Sequence, residues 1–187
     1  MDVRIVETQL TVTLDDAVVP HQQRAAARPD TALACLLAYA PHAHIALPVH
    51  AGVELVEQPQ LVPVPGMPHF CRGLLAWQGR RLPLVDLQAY LEPPDAAQPA
   101  PVPAHVLIVA YQVARGCPIE YGALCAPFLL RMIEVADSQQ CALPAADPRW
   151  TGMAISCLMY QEQVIPVLDP ARIFHRPDSS GTHWKSV

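Results

Sequence analysis

Apolar and polar residues alternate along this chain in short runs, and the runs come in pairs joined by turn residues. From Leu33, "LACLLAYAPHAHIALPV" is two apolar runs about Pro41, a pattern that predicts a hairpin. "VELVE" at Val53–Glu57 alternates with period two and predicts a short strand, and "QPQLVPVPGMPHF" follows as a proline-punctuated, locally extended excursion. "GLLAWQGRRLPLVDL" predicts a second hairpin about Gln78-Gly79, with Gly79 supplying the positive φ of a tight turn. Around that turn Trp77 is expected to face Arg80, Ala76 to face Arg81, and Leu75 to face Leu82. Leu75, Trp77, Leu82 and Leu84 then share one face. Pro83 cannot donate to a ladder and marks an edge or a bulge. Further on, "HVLIVAYQV" and "CPIEYGALCA" pair as a third hairpin, "LLRMIEV" is one more strand, and "GMAISCLMYQEQVIPVL" is a fourth hairpin.

The second and fourth hairpins repeat one phrase. "WQGRRLPLVDL" begins at Trp77 and "YQEQVIPVLDP" at Tyr160, and an offset of 83 residues aligns Gln78 with Gln161, Pro83 with Pro166 and Asp86 with Asp169. Both aspartates precede a short helical run and are expected N-caps, Asp169 with Pro170 at the first helical position. Each half therefore reads hairpin, strand, excursion, hairpin, helical turn. Five short strands of this kind curl into a small barrel without exposed edges, so the fold class is all-β, two small five-stranded SH3-like barrels in tandem. The expected layout is an N-terminal extension over 1–32, a first barrel over 33–95, a Pro/Ala linker over 96–104, a second barrel over 105–175 and a C-terminal tail over 176–187. Strand exchange between the barrels at their ends would blur the boundary near residue 95.

Composition narrows the function classes. Hydrophobic residues make up 52% of 187 and mean hydropathy is +0.21, enough for a packed core. Twenty-one prolines against 8 glycines favour short strands and turns over helix. A net charge of −5 without any Lys/Arg stripe argues against nucleic acid. The N-terminal "MDVRIVETQLTVTLDD" lacks the apolar core of a secretory signal, and the most apolar run is interrupted by Pro41, His42 and His44, so direct membrane insertion is not expected. Cytoplasmic localisation follows as the expectation. Six cysteines without a C-x-x-C pair read as free thiols, Cys35, Cys125 and Cys157 as small buried hydrophobes.

Candidate chemistry is sparse. There is no G-x-x-x-x-G-K, no G-x-S-x-G and no H-E-x-x-H, so neither enzyme activity nor a cofactor is expected. His42, His44 and His50 form an alternative as a metal site or catalytic cluster, weakened because no Asp, Glu or Cys joins them at ligand spacing. A free-standing small barrel that binds peptides in a groove is the other alternative.

The ordered set Pro63, Pro65, Pro68, Gly73, Gly79, Pro83 and Asp86, with the second-half "VIPVLDPARIF", resembles the CheW-like family of chemosensory coupling proteins over roughly residues 33 to 175. The resemblance implies two β-barrel subdomains packed through an apolar interface. It also implies a non-catalytic adaptor that joins the cytoplasmic tip of a chemoreceptor to the regulatory domain of a CheA-type histidine kinase. The partner-binding residues it implies are Val53, Leu55, Trp77, Gln78, Arg80, Arg81, Phe128 and Leu130. Two positions depart from the family pattern: Gln78 replaces the arginine before the hairpin glycine, with Arg80 and Arg81 just across the turn, and Ala126 replaces a carboxylate. The aromatic Trp77 is closer to the type IV pilus variety of the family.

Overall fold

The computed structural model describes residues 31–92, 102–128, 130–143 and 148–175, so the N-terminal extension except Thr31 and Ala32, which open the first strand, the C-terminal tail and most of the Pro/Ala linker lie outside the described residues. Among the described residues, eleven strands and three short α-helices run in chain order. Strands β1 (Thr31–Ala40) and β2 (Ala43–Pro48) form the first hairpin, and β3 (Gly52–Glu57) and the two-residue β4 (Leu61–Val62) follow. Then come β5 (Cys71–Trp77), β6 (Arg80–Val85) and α1 (Leu87–Leu91), and after them β7 (His105–Tyr111), β8 (Glu120–Cys125) and β9 (Arg131–Ala136). The chain continues with α2 (Pro148–Met153), β10 (Ala154–Tyr160), β11 (Gln163–Leu168) and α3 (Pro170–Phe174).

The repeat holds to the residue. Every bound of β5, β6 and α1 recurs 83 residues later in β10, β11 and α3. Trp77 pairs with Arg80, Ala76 with Arg81 and Leu75 with Leu82; Tyr160 pairs with Gln163, Met159 with Val164 and Leu158 with Ile165. Each hairpin turns on two residues of positive φ, Gln78 and Gly79 in one, Gln161 and Glu162 in the other. That sign matches the right-handed twist of the flanking strands. The bulge recurs as well, between Cys71 and Gly73 and between Ala154 and Ser156. Asp86 accepts a hydrogen bond from the Ala89 N–H at 3.1 Å, and Asp169 from the Ala171 N–H at 2.9 Å, so both are N-caps.

Two sheets result, and they do not divide the chain at its middle. The five-stranded sheet runs β10-β11-β2-β1-β9, and the six-stranded sheet runs β3-β7-β8-β6-β5-β4. The leading hairpin of each repeat joins the strand and hairpin of the other repeat. Each exchanged hairpin is joined on one side antiparallel, β1 to β9 and β7 to β3, and on the other side parallel: Leu84 and Val85 of β6 pair with Ala123 and Leu124 of β8, and Val167 of β11 pairs with Ala46 of β2. The exchange therefore involves whole hairpins, and a boundary near residue 95 separates repeats in sequence without separating sheets in space. The six-stranded sheet exceeds the expected five by the short β4. Pro83 lies neither on an edge strand nor in the bulge. It stands in β6, between β5 and β8, one residue before the parallel pairing begins at Leu84, where a missing N–H leaves no ladder bond unmade. The fourth hairpin starts two residues later than its pattern suggested, at Ala154, because Gly152 and Met153 close helix α2.

Period-two alternation sorts the side chains into three cores. Leu75, Trp77, Leu82, Leu84, Val106 and Ile108 fill the six-stranded sheet, as the shared face of the second hairpin predicts. Ala34, Leu36, Ala46, Ile133, Leu158 and Ile165 fill the five-stranded one. Their strand neighbours point the other way, so Cys35, Leu37, Ile45 and Leu47 meet Leu107, Val109, Tyr111 and Leu124 between the sheets. Phe174 of α3 crosses into this middle core and stacks on Tyr111, with ring centroids 5.5 Å apart and planes 13° from parallel. A Cβ on Gly122 would stand 2.5 Å from that ring, so β8 needs glycine there. All six cysteines are free thiols. Among the described residues no helix is long and apolar enough to cross a membrane.

Candidate protein interaction surface

The open end of the six-stranded barrel is built around the β5–β6 turn. Trp77 is enclosed, 9% exposed, and its Nε1–H donates to Glu54 Oε2 at 2.8 Å. That bond spans from the hairpin to β3 on the far edge of the sheet, where Glu54 stands between the exposed Val53 and Leu55. Tyr121 of β8 packs against the indole at 5.1 Å, and the Arg80 guanidinium lies 5.1 Å over the Tyr121 ring. A cation over an aromatic face is held there by the ring quadrupole. The result is an ordered rim, Glu54–Trp77–Tyr121–Arg80, from which Gln78, Arg80 and Arg81 project into solvent.

Below the rim, Val53 (46% exposed) and Leu55 (41% exposed) stand on edge strand β3. An edge strand that shows apolar side chains and one unpaired backbone side is a ready surface for another chain. Phe128, 42% exposed, and the half-buried Leu130 follow Cys125, at the end of β8 away from Glu120. Since β6 and β8 run parallel, the hairpin turn lies at the Glu120 end. Of the eight residues expected to bind partners, Gln78, Arg80 and Arg81 thus lie at the turn, Val53 and Leu55 flank Glu54 on β3, and Phe128 and Leu130 lie at the opposite end of the sheet. Trp77 is the exception, because it is core and shapes the surface from beneath. Glu54 and Tyr121, which complete the rim, are missing from the expected set. Their signal was the first acidic residue of "VELVE" and the aromatic in "CPIEYGALCA".

The repeat also makes two equivalent clefts where the sheets meet. One, about 430 Å³, holds Asp169, Tyr111, Pro48, His50 and Ile155; the other, about 280 Å³, holds Asp86, Tyr39, Cys125, Pro127 and the Val102–Ala104 segment. They differ electrostatically. Arg72 Nε and Nη2 donate to Asp86 Oδ2 at 2.9 and 2.6 Å, a pair whose side chains are only 17% and 16% exposed. The position equivalent to Arg72 is Ile155, and Asp169 has instead a 3.9 Å approach to exposed Arg172. Neither cleft is lined by Val53 or Leu55.

The histidine cluster does not assemble. His42 sits in the β1–β2 turn with φ of 65°, His44 Nδ1 bonds Gln163 Oε1 at 3.1 Å, and His50 lies past the opposite end of β2. Among the described residues no group of three or more His, Cys, Asp or Glu side chains is placed to hold a metal ion. At the position of the family's carboxylate, Ala126 is fully buried and its N–H donates to the His105 carbonyl at 3.0 Å.

A family model described as the CheW-like domain matches residues 34–178. No curated protein sequence matches the chain. Among solved structures, the scaffolding protein TtCheW from Thermoanaerobacter tengcongensis is similar over 83% of this chain and 99% of its own, with 14% identity and a TM-score of 0.63.

Proposed function

Because the chain belongs to the CheW-like domain family, a family of non-catalytic scaffold proteins of chemotaxis signalling, we propose that it is a cytoplasmic coupling protein. In this reading it holds the cytoplasmic tip of a chemoreceptor and the regulatory domain of a CheA-type histidine kinase at once, in the type IV pilus variety of the system. The family match over residues 34–178 carries the reading. The hairpin turn and the Phe128 segment, at opposite ends of one sheet, support it, because a coupler needs two patches that do not compete. The rim with Arg80 and Arg81 is basic and hydrogen-bond-rich, whereas β3 and Phe128 offer apolar area. Arginine and aromatic side chains are the residue types that most often dominate binding energy.

Calorimetric titration of the full chain with a CheA-type regulatory domain and with a receptor-tip fragment tests the assignment. Arg80→Glu and Val53→Asp are each expected to weaken binding of a partner at least tenfold, about 1.4 kcal/mol. Phe128→Ala is expected to weaken binding independently of Arg80→Glu. All three positions are exposed, so melting curves should match the parent. If folded Arg80→Glu and Val53→Asp bind both partners as the parent does, the surface assignment is wrong. If the parent binds neither partner, the coupling role itself falls.

A further inference from the structure

In the six-stranded sheet, β4 closes onto β5 through two facing pairs, Leu61 with Leu75 and Val62 with Leu74. The 83-residue correspondence carries Leu75 and Leu74 to Leu158 and Cys157. There the closure is thinner. Gln140 faces Leu158 in a single antiparallel bridge, and the next residue, Cys141, donates its N–H to the Cys157 carbonyl at 3.0 Å. Cys141 and Cys157 thus stand where Val62 and Leu74 stand in the other barrel. Facing residues of antiparallel neighbours project on the same side. A hydrogen-bonded pair sets their Cα atoms about 5.5 Å apart, inside the roughly 4.4–6.8 Å that a disulfide spans.

We propose that Cys141 and Cys157 form a reversible redox clasp, a modification site at which a peroxide joins the two thiols and locks the closing rung of the five-stranded barrel. Cys141 is partly exposed and meets the oxidant, whereas Cys157 is 1% exposed and does not. In the first step the Cys141 thiolate attacks one peroxide oxygen. An S–O bond forms, the O–O bond breaks, and water leaves once the departing hydroxide is protonated. In the second step Cys157 sulfur attacks the sulfenic sulfur of Cys141. The S–S bond forms, the S–O bond breaks, and the Cys157 proton leaves with the hydroxide as a second water. The two thiols lose two electrons and the peroxide gains them. Burial, followed by the hydrogen bond and charge of Cys141, raises the Cys157 thiol well above its ordinary range, so it stays protonated until the second step, in which it gives up its proton as the S–S bond forms. No other two cysteines face each other in a strand pairing among the described residues. Cys71 and Cys125 lie on β5 and β8 with β6 between them, two strand spacings or roughly 9.5 Å apart.

The test uses the reduced full chain, hydrogen peroxide as the probe and peptide mapping without reductant. The expected product is a Cys141–Cys157 linked peptide pair, short of two hydrogens and released by dithiothreitol. The melting midpoint of the oxidised protein is expected to rise on the order of 5–10 °C, since the bond closes a loop of roughly 15 residues. Cys141→Ser, at a partly exposed position, should abolish both effects. Cys157→Ala, shown folded by its own melting curve, should lose the same product. Oxidation of Cys141 without linkage to Cys157, a different dominant pair, or a lower midpoint for the linked form would each overturn the proposal.

Discussion

Substituting Gly122 with alanine puts one methyl group where β8 meets the ring of Phe174. Built on the present backbone, that Cβ stands 2.5 Å from Cε1 and Cζ and 2.6 Å from Cε2. Carbon atoms at rest keep about 3.5–4.0 Å, so ring and strand must part by roughly 1 Å. The ring has nowhere to go, because Phe174 is 3% exposed and stacked on Tyr111. Overpacking of this kind costs about 1–3 kcal/mol, which in a chain of this length lowers the melting midpoint by roughly 2–4 °C for each kcal/mol. Phe174→Ala alone should cost about 3–5 kcal/mol, as the ring leaves a cavity between the sheets. The informative protein is the double variant. Without the ring the extra methyl has room, so Gly122→Ala in the Phe174→Ala background should be close to neutral. The double variant should then be more stable than the sum of the singles by about 1–3 kcal/mol. Urea unfolding of all four proteins, with slopes compared to confirm a common transition, measures this coupling. Additive losses would refute the packing argument, and with it the claim that this contact ties α3 to the opposite sheet.

The two caps give a paired prediction: Asp86→Ala should cost about 2–4 kcal/mol because it removes a cap and strands the half-buried Arg72, whereas Asp169→Ala should cost about 1 kcal/mol, the worth of a cap alone. Equal losses by urea unfolding would show that the Arg72 pair adds nothing. Burial raises the Cys35 thiol to about 11 and, with Asp86 as a lesser cause, the Cys125 thiol to about 12. The folded state thus holds these protons more tightly than the unfolded chain. Their contribution to stability is full below about pH 9 and falls by about 1.4 kcal/mol per pH unit for each thiol, up to about pH 11 for Cys35 and about pH 12 for Cys125. Cys35→Ala should remove one such contribution from the alkaline slope between pH 9 and 11, and an unchanged slope would contradict the assignment.

What could be read from residues alone was what neighbouring residues decide. The β5–β6 pairing, its inward face and both aspartate caps follow from a turn of fixed geometry and from alternation, and each recurs at one offset. The placement of the leading hairpins follows from no local signal. It depends on Ala123 beside Leu84 and Ala46 beside Val167, parallel contacts between segments far apart in sequence, and alanine does not name its partner. The surface was legible for the same reason in part. Val53 and Leu55 declare an apolar face by alternation, whereas Trp77 reads more readily as core than as contact, and the bond from its indole N–H to Glu54 shows how a core residue also shapes the rim. Pro83 misled because an internal strand does have a position without a ladder bond, and only the start of the parallel pairing shows where it is.

The exchanged hairpins set the order in which this protein is made. The six-stranded sheet uses one uninterrupted stretch, Gly52–Cys125, whereas the five-stranded sheet joins Thr31–Pro48 to Arg131–Leu168. During synthesis the nested sheet has all its strands once β8 has left the ribosome. The hairpin that emerged first must wait, an unpaired apolar ribbon, until the last strands arrive. Its partners are the most distant in the chain, and contacts of that separation form slowly. Ribosome-bound chains ending shortly after β8 should therefore carry a protected nested sheet beside a protease-sensitive first hairpin, the stage most open to misassembly and most in need of a chaperone.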